Sequence, residues 1–70
     1  MRYAIVIERA ASNFSAYVPD LPGCVATGNT REEAAERIRE AIAFHLEGLR
    51  EDGNDVPPPA SQVEYVDIAA

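Results

Sequence analysis

Lysine is absent from this sequence and cysteine nearly so. Cys24 is the one cysteine in 70 residues, which excludes a disulfide framework within the chain. Zinc wants four ligands, and Cys24 and His45 are the only soft ones available, so a structural zinc site has too few donors. No glycine-rich phosphate loop occurs. Long apolar runs are missing too: Met1-Arg2-Tyr3 leads into a short one that stops at Glu8, too short for a membrane span and without a small-residue cleavage site. A cytoplasmic protein is the expectation. A chain of this length makes one domain, over residues 1–70. Domains of about 60 residues bury only about 60% of the surface of their unfolded chain, so they are marginally stable alone. With disulfides and metals set aside, oligomerisation or partner binding is the remaining reinforcement.

Basic charge is scarce. Twelve Asp and Glu face six Arg, for a net charge of −6. Nucleic-acid affinity comes mainly from Lys and Arg neutralising phosphates, so direct DNA or RNA binding is not expected. An acidic surface suits a basic protein partner instead. What is plentiful is ordinary globular material, 47% hydrophobic and 26% charged.

The segment Arg2–Arg9 (RYAIVIER) reads as a strand with Tyr3, Ile5 and Ile7 on one face and Arg2, Ala4, Val6 and Glu8 on the other. Ser12-Asn13 signals a turn, and Phe14–Val18 alternates as a returning strand. Pro19-Asp20-Leu21-Pro22-Gly23 ends it, and Cys24–Thr27 is a short third strand. Thr30-Arg31-Glu32-Glu33 matches a capping box with Thr30 as N-cap and Glu33 bonding back to it. At 100° per residue, Ala34, Ile38, Ala41, Ile42, His45, Leu46 and Leu49 form one apolar stripe, opposite a charged face. Gly53 and Pro57-Pro58-Pro59 stop the helix, and Gln62–Ile68 (QVEYVDI) reads as a last strand. The predicted fold is α+β: two layers in the order β-β-β-α-β, a mainly antiparallel sheet with one long helix on one face. The other face, with Ala4 and Val6 and with Val66 and Ile68 of the last strand, stays partly apolar and uncovered, which predicts a homodimer or tetramer through those residues.

Catalysis finds little support. His45 is the sole histidine and so the one candidate general base, and it falls inside the apolar stripe. Cys24 has no basic neighbour and reads as a small buried residue. Ser12, Ser15 and Ser61 lack a nucleophile elbow, and Glu51–Asp55 lacks the alternating ligands of a calcium loop. No catalytic, cofactor-binding or metal-binding residue is expected.

Two stretches carry a family resemblance: Tyr17–Val25 (YVPDLPGCV) followed by Thr30–Ala34 (TREEA), and Ala41–Leu49 (AIAFHLEGL). Together they resemble the HicB-like antitoxins of bacterial toxin–antitoxin systems, and the similarity runs from the first strand through Pro57. The resemblance implies a β-β-β-α-β domain of reduced ribonuclease H-like type. It also implies a partner, a small basic HicA-type toxin that cleaves mRNA and whose active surface the domain hides. Many such antitoxins add a C-terminal DNA-binding helical unit. No basic helix follows the last predicted strand here, so operator binding by this chain is not expected.

The leading functional reading is thus an antitoxin-like binding module; the alternative is a stand-alone homo-oligomeric scaffold or adaptor. A residual metal-dependent nuclease using Glu8 or Asp20 is a third reading. Candidate partner-binding residues are Asp20, Leu21 and Pro22, where prolines present a rigid surface, and the helix acids Glu32, Glu36, Glu40 and Glu47.

Overall fold

The computed structural model describes residues 1–69; Ala70, where the expected domain ends, lies outside the described residues. The element order is β1 (Val6–Arg9), β2 (Phe14–Tyr17), β3 (Val25–Gly28) and α1 (Arg31–Glu51). The three strands form one antiparallel sheet in the order β1-β2-β3, and the helix lies chiefly over β3 and β2 and touches β1 least. The expected α+β class, antiparallel sheet and single covering helix are all present.

Register explains where β1 begins. Val6 pairs with Tyr17 and Ile7 with Ala16. Continuing that register would set Ala4 opposite Pro19 and Tyr3 opposite Asp20, where the chain is already turning. Proline has no N–H to give a ladder. The strand expected from Arg2 therefore starts only at Val6.

The same register sorts the faces. Ile7, Ala16 and Ala26 form a row towards the helix, followed by Arg9, Phe14 and Gly28. The rows Val6–Tyr17–Val25 and Glu8–Ser15–Thr27 face the other way. The core is Ala16, Val18, Leu21 and Cys24 against Ala34, Ile38 and Leu46. Every residue of the expected helical stripe is buried or half-buried.

The helix begins as its capping signal predicts: Thr30 is extended, and its Oγ1 accepts from the Glu33 N–H at 3.0 Å. The return bond is displaced by one residue, because Glu33 Oε1 accepts from the Asn29 N–H at 3.1 Å. At the far end the Gly53 N–H donates to the Arg50 carbonyl and the Asn54 N–H to the Leu49 carbonyl. That is the paired closure of a Schellman cap, and it satisfies carbonyls the helix leaves open.

One expectation fails. Gln62–Ile68 joins no ladder, and none of the described residues after Glu51 lies in a helix or strand. The order is β-β-β-α. Alternation and β-branched residues suit a pleated strand, but a strand exists only with a neighbour to pair with. Past Ser61 the segment lies exposed, with Val66 at 75% and Ile68 at 78% accessibility. It is an arm rather than a fourth strand.

Candidate partner-binding surface

The Pro19–Gly23 loop is built from two successive β-turns. The Leu21 N–H donates to the Val18 carbonyl at 3.1 Å, and the Cys24 N–H to the Leu21 carbonyl at 3.1 Å. Pro19 and Pro22 each stand at the second position of their turn, where a fixed φ near −65° is wanted. Gly23 follows Pro22 with φ of +82°, the left-handed conformation that position requires in a type II turn. The Val18 N–H reaches the Cys24 carbonyl at 3.2 Å and closes the loop.

This construction decides the fate of the loop candidates. Leu21 is wholly buried. It anchors the double turn into the core and has no side-chain surface to offer, so its expected role in partner contact is corrected to packing. Asp20 is committed within the chain: its Oδ2 accepts from the Ala60 and Ser61 N–H groups at 2.9 and 3.0 Å, and its Oδ1 from the Ser61 hydroxyl at 2.8 Å. The Ser61 N–H, then the Ala60 N–H, then the Ser61 hydroxyl hold its carboxyl below the usual carboxylate range. With the bond from the Tyr3 hydroxyl to the Pro57 carbonyl, this clasp ties the start of the arm to the Pro19–Gly23 loop and to the segment that leads into β1. Pro22 is exposed.

The helix acids divide into two sets. Glu33 pairs with Arg37 at 3.2 Å and Glu36 with Arg39 at 2.8 Å. Among the described residues, Glu32, Glu40, Glu47 and Glu51 form no salt bridge. Three of these, Glu40, Glu47 and Glu51, lie within two turns of Phe44, at −4, +3 and +7 along the helix. Residues so spaced share a face. Phe44 itself is 80% exposed. Phe44 is not among the candidates expected from the sequence, although its helical angle lies well outside the apolar stripe, among charges.

Phe44 walls a groove of about 420 Å³ between the C-terminal half of α1 and the Gly23–Val25 segment that leads into β3. Cys24 and Val25 line it on the strand side, and His45, Gly48 and Leu49 on the helix side. Cys24 is 4% exposed, and burial pushes its thiol pKa up, away from the reactive thiolate. Among the described residues, no three His, Cys, Asp or Glu side chains gather as metal ligands, and no helix is long and apolar enough to cross a membrane. Of the expected oligomer residues, Val6 and Ala4 are half-buried, and Val66 and Ile68 are exposed on the arm.

A family model described as the HicB-like antitoxin of bacterial toxin–antitoxin systems matches residues 3–69. The chain belongs to this family. Among relatives of the HicB-like chain, a 14.9 kDa uncharacterised protein of Haemophilus phage HP1 is 39% identical over 94% of this chain and 50% of its own length. Antitoxin HicB 2 of Photorhabdus laumondii is 30% identical over 100% of this chain and 51% of its own length. The chain thus spans about half the length of both proteins. A UPF0150 protein of Thermoplasma acidophilum is nearer in size, 34% identical over 81% of this chain and 84% of its own. Among solved structures, a chain of the HicA3 and HicB3 toxin–antitoxin complex matches with a TM-score of 0.73 and 37% identity, over 84% of the HicB-like chain and 70% of that chain.

Proposed function

We propose that this HicB-like chain neutralises a small basic HicA-type toxin by covering the surface with which the toxin cleaves mRNA, and that it performs no catalysis itself. The observation that carries the reading is the exposed face of α1, where Glu40, Glu47 and Glu51, in no salt bridge among the described residues, share a face with exposed Phe44. An apolar anchor within a rim of one sign favours a partner of the opposite sign, and complementary fields speed its encounter. The test is co-expression with any small basic protein that is found encoded beside it. Growth arrest by that protein alone, relieved when both are made and accompanied by a stable complex, is the expected result. A neighbour that is harmless, or that stays toxic while stoichiometrically bound, overturns the reading.

The exposed arm favours a second element of the proposal, assembly into a homodimer or tetramer. Val66 and Ile68 lie open to solvent, as does part of the apolar row Val6–Tyr17–Val25 on the uncovered face of the sheet. Assembly of this kind serves an antitoxin and a toxin-free scaffold equally.

A further inference from the structure

Gly48 sits inside α1, three residues before its end. Glycine in a helix is destabilising relative to alanine, so a structural reason for it is worth seeking. The fold supplies none: a Cβ built on Gly48 meets no atom within 4 Å. No neighbouring strand or loop approaches this point closely. Gly28 is the opposite case, since a Cβ there would meet the Ala34 nitrogen at 2.5 Å. Gly28 is required by the molecule's own packing, and Gly48 is not.

What Gly48 does is leave bare backbone on the groove beside Phe44. Three features converge there. Phe44 is an aromatic side chain left 80% exposed, one turn from Gly48. Leu49 and Cys24 give the groove an apolar lining, and Val25 at its strand side is 67% exposed. Glu40 and Glu47 flank Phe44, and Asp52 closes the end of the groove.

We propose that this groove, opened by the missing side chain of Gly48 and walled by Phe44, receives an apolar side chain of a basic partner protein, with flanking Lys or Arg of that partner meeting Glu40, Glu47 and Asp52. The proposal rests on the antitoxin reading for the identity of the partner, and it locates the contact on this chain. Charge selects the occupant. A second copy of this acidic chain would bring like charge against the same rim, whereas a basic protein brings the complement. Uniformly exposed aromatic surface with no such rim would carry no preference of this kind.

The helix geometry allows fold and binding to be separated. Gly48→Ala should hold or raise the melting temperature of the free chain, because it removes a poor helix former from a site with room for the methyl. Gly48→Leu fills the groove from a position that packs against nothing. Binding of the full chain to an inactivated form of the HicA-type toxin, followed by calorimetry, is the readout. Gly48→Leu and Phe44→Ala should each weaken it by about tenfold or more while the circular dichroism melt of the free chain is retained. The double reversal Glu40→Arg with Glu47→Arg should slow association at low salt by about tenfold and flatten its salt dependence. Normal toxin binding by all these variants overturns the groove and leaves the antitoxin reading standing. Failure of the unaltered chain to bind the toxin overturns both. Loss of a homo-oligomer in the Gly48→Leu variant, with toxin binding intact, assigns the groove to a second copy and also overturns the proposal.

Discussion

Asp20 shows how far a motif residue's role depends on what it meets. Read as sequence, an acid between two prolines at a loop tip is a free charge. In the structure it accepts three hydrogen bonds from Ala60 and Ser61, some forty positions away. No local pattern reports such a pairing, because nothing in Pro19–Gly23 specifies where the chain beyond the helix returns. Its lowered pKa fixes the pH dependence of the clasp. A carboxyl whose folded pKa is depressed contributes its full stabilisation above the unfolded value, near 3.8, and loses it as pH falls through the lower folded value. The Ala60 and Ser61 amide protons, followed by NMR, should therefore titrate together with a midpoint below that of an ordinary aspartate. Asp20→Asn should remove this transition and expose the Pro57–Ser61 segment to limited proteolysis at neutral pH. Leu21, by contrast, was half legible: the proline-glycine frame marks a turn, and a leucine within a turn has either a core or a partner to fill. Its complete burial selects the core. Gly28 carries the tightest steric condition at this scale. The Cβ of Gly28→Ala would fall within 3 Å of the Glu33–Ala34 backbone, so the N-terminus of α1 has to lift off β3. We expect a loss of about 1–3 kcal/mol, measured by urea unfolding.

Among the elements, the helix was the most readable because its signals are local. Thr30, Glu33, the seven-residue stripe and Gly53 lie within a single stretch of chain, and each acts within one or two turns of itself. Even the displaced return bond, to Asn29 rather than Thr30, leaves the N-terminus satisfied. Thr30→Ala should cost about 1 kcal/mol, since the Glu33 N–H loses its acceptor; Thr30→Ser should restore most of it. The denaturation midpoints of the two variants provide the check. Strands were legible in kind and less so in extent. Faces follow from period-two alternation, and the Tyr3, Ile5, Ile7 side does turn towards the helix-covered core. Ends follow from the partner. β1 loses its first residues to a proline on the facing chain, and Gln62–Ile68 loses its strand status for want of any facing chain. The functional surface divides in the same way. The acids of α1 were visible as a charged face, but which of them are already paired depends on side-chain geometry. Phe44 went unnoticed because a stripe drawn for the core leaves out the apolar residue that avoids it.

At the scale of the whole molecule, the shape departs from that of a small globule. A compact domain of 70 residues has a radius of gyration of about 11 Å. The value here is 13.7 Å, with a long axis of 48 Å against 26 and 16 Å. The exposed arm accounts for the excess in kind, since Val63, Tyr65, Val66 and Ile68 all lie open to solvent beyond the Asp20 clasp. With seven buried core residues among those described, the fold gains little from leaving four large apolar side chains in water. Each such residue is worth about 1.5–3 kcal/mol when fully buried. A second copy would offer two receptors for them: the unpaired edge of β1, and the outer-row residues Val6 and Tyr17. An extended arm whose apolar residues fall on both faces, Val63 and Tyr65 on one and Val66 and Ile68 on the other, can add to such an edge as a strand, supplying backbone hydrogen bonds as well as burial. Reciprocal exchange between two chains closes the assembly and leaves no open end. The purified chain should accordingly run by light scattering at about twice 7.6 kDa or a higher multiple. Val66→Asp with Ile68→Asp should reduce it to a single chain without disturbing the helix content, because neither residue touches the core. These substitutions lie far in sequence from Phe44 and Gly48, so dimer loss with toxin binding retained would place the two surfaces on separate parts of the molecule. A wild-type chain that stays at 7.6 kDa at micromolar concentration removes the arm from any role in assembly.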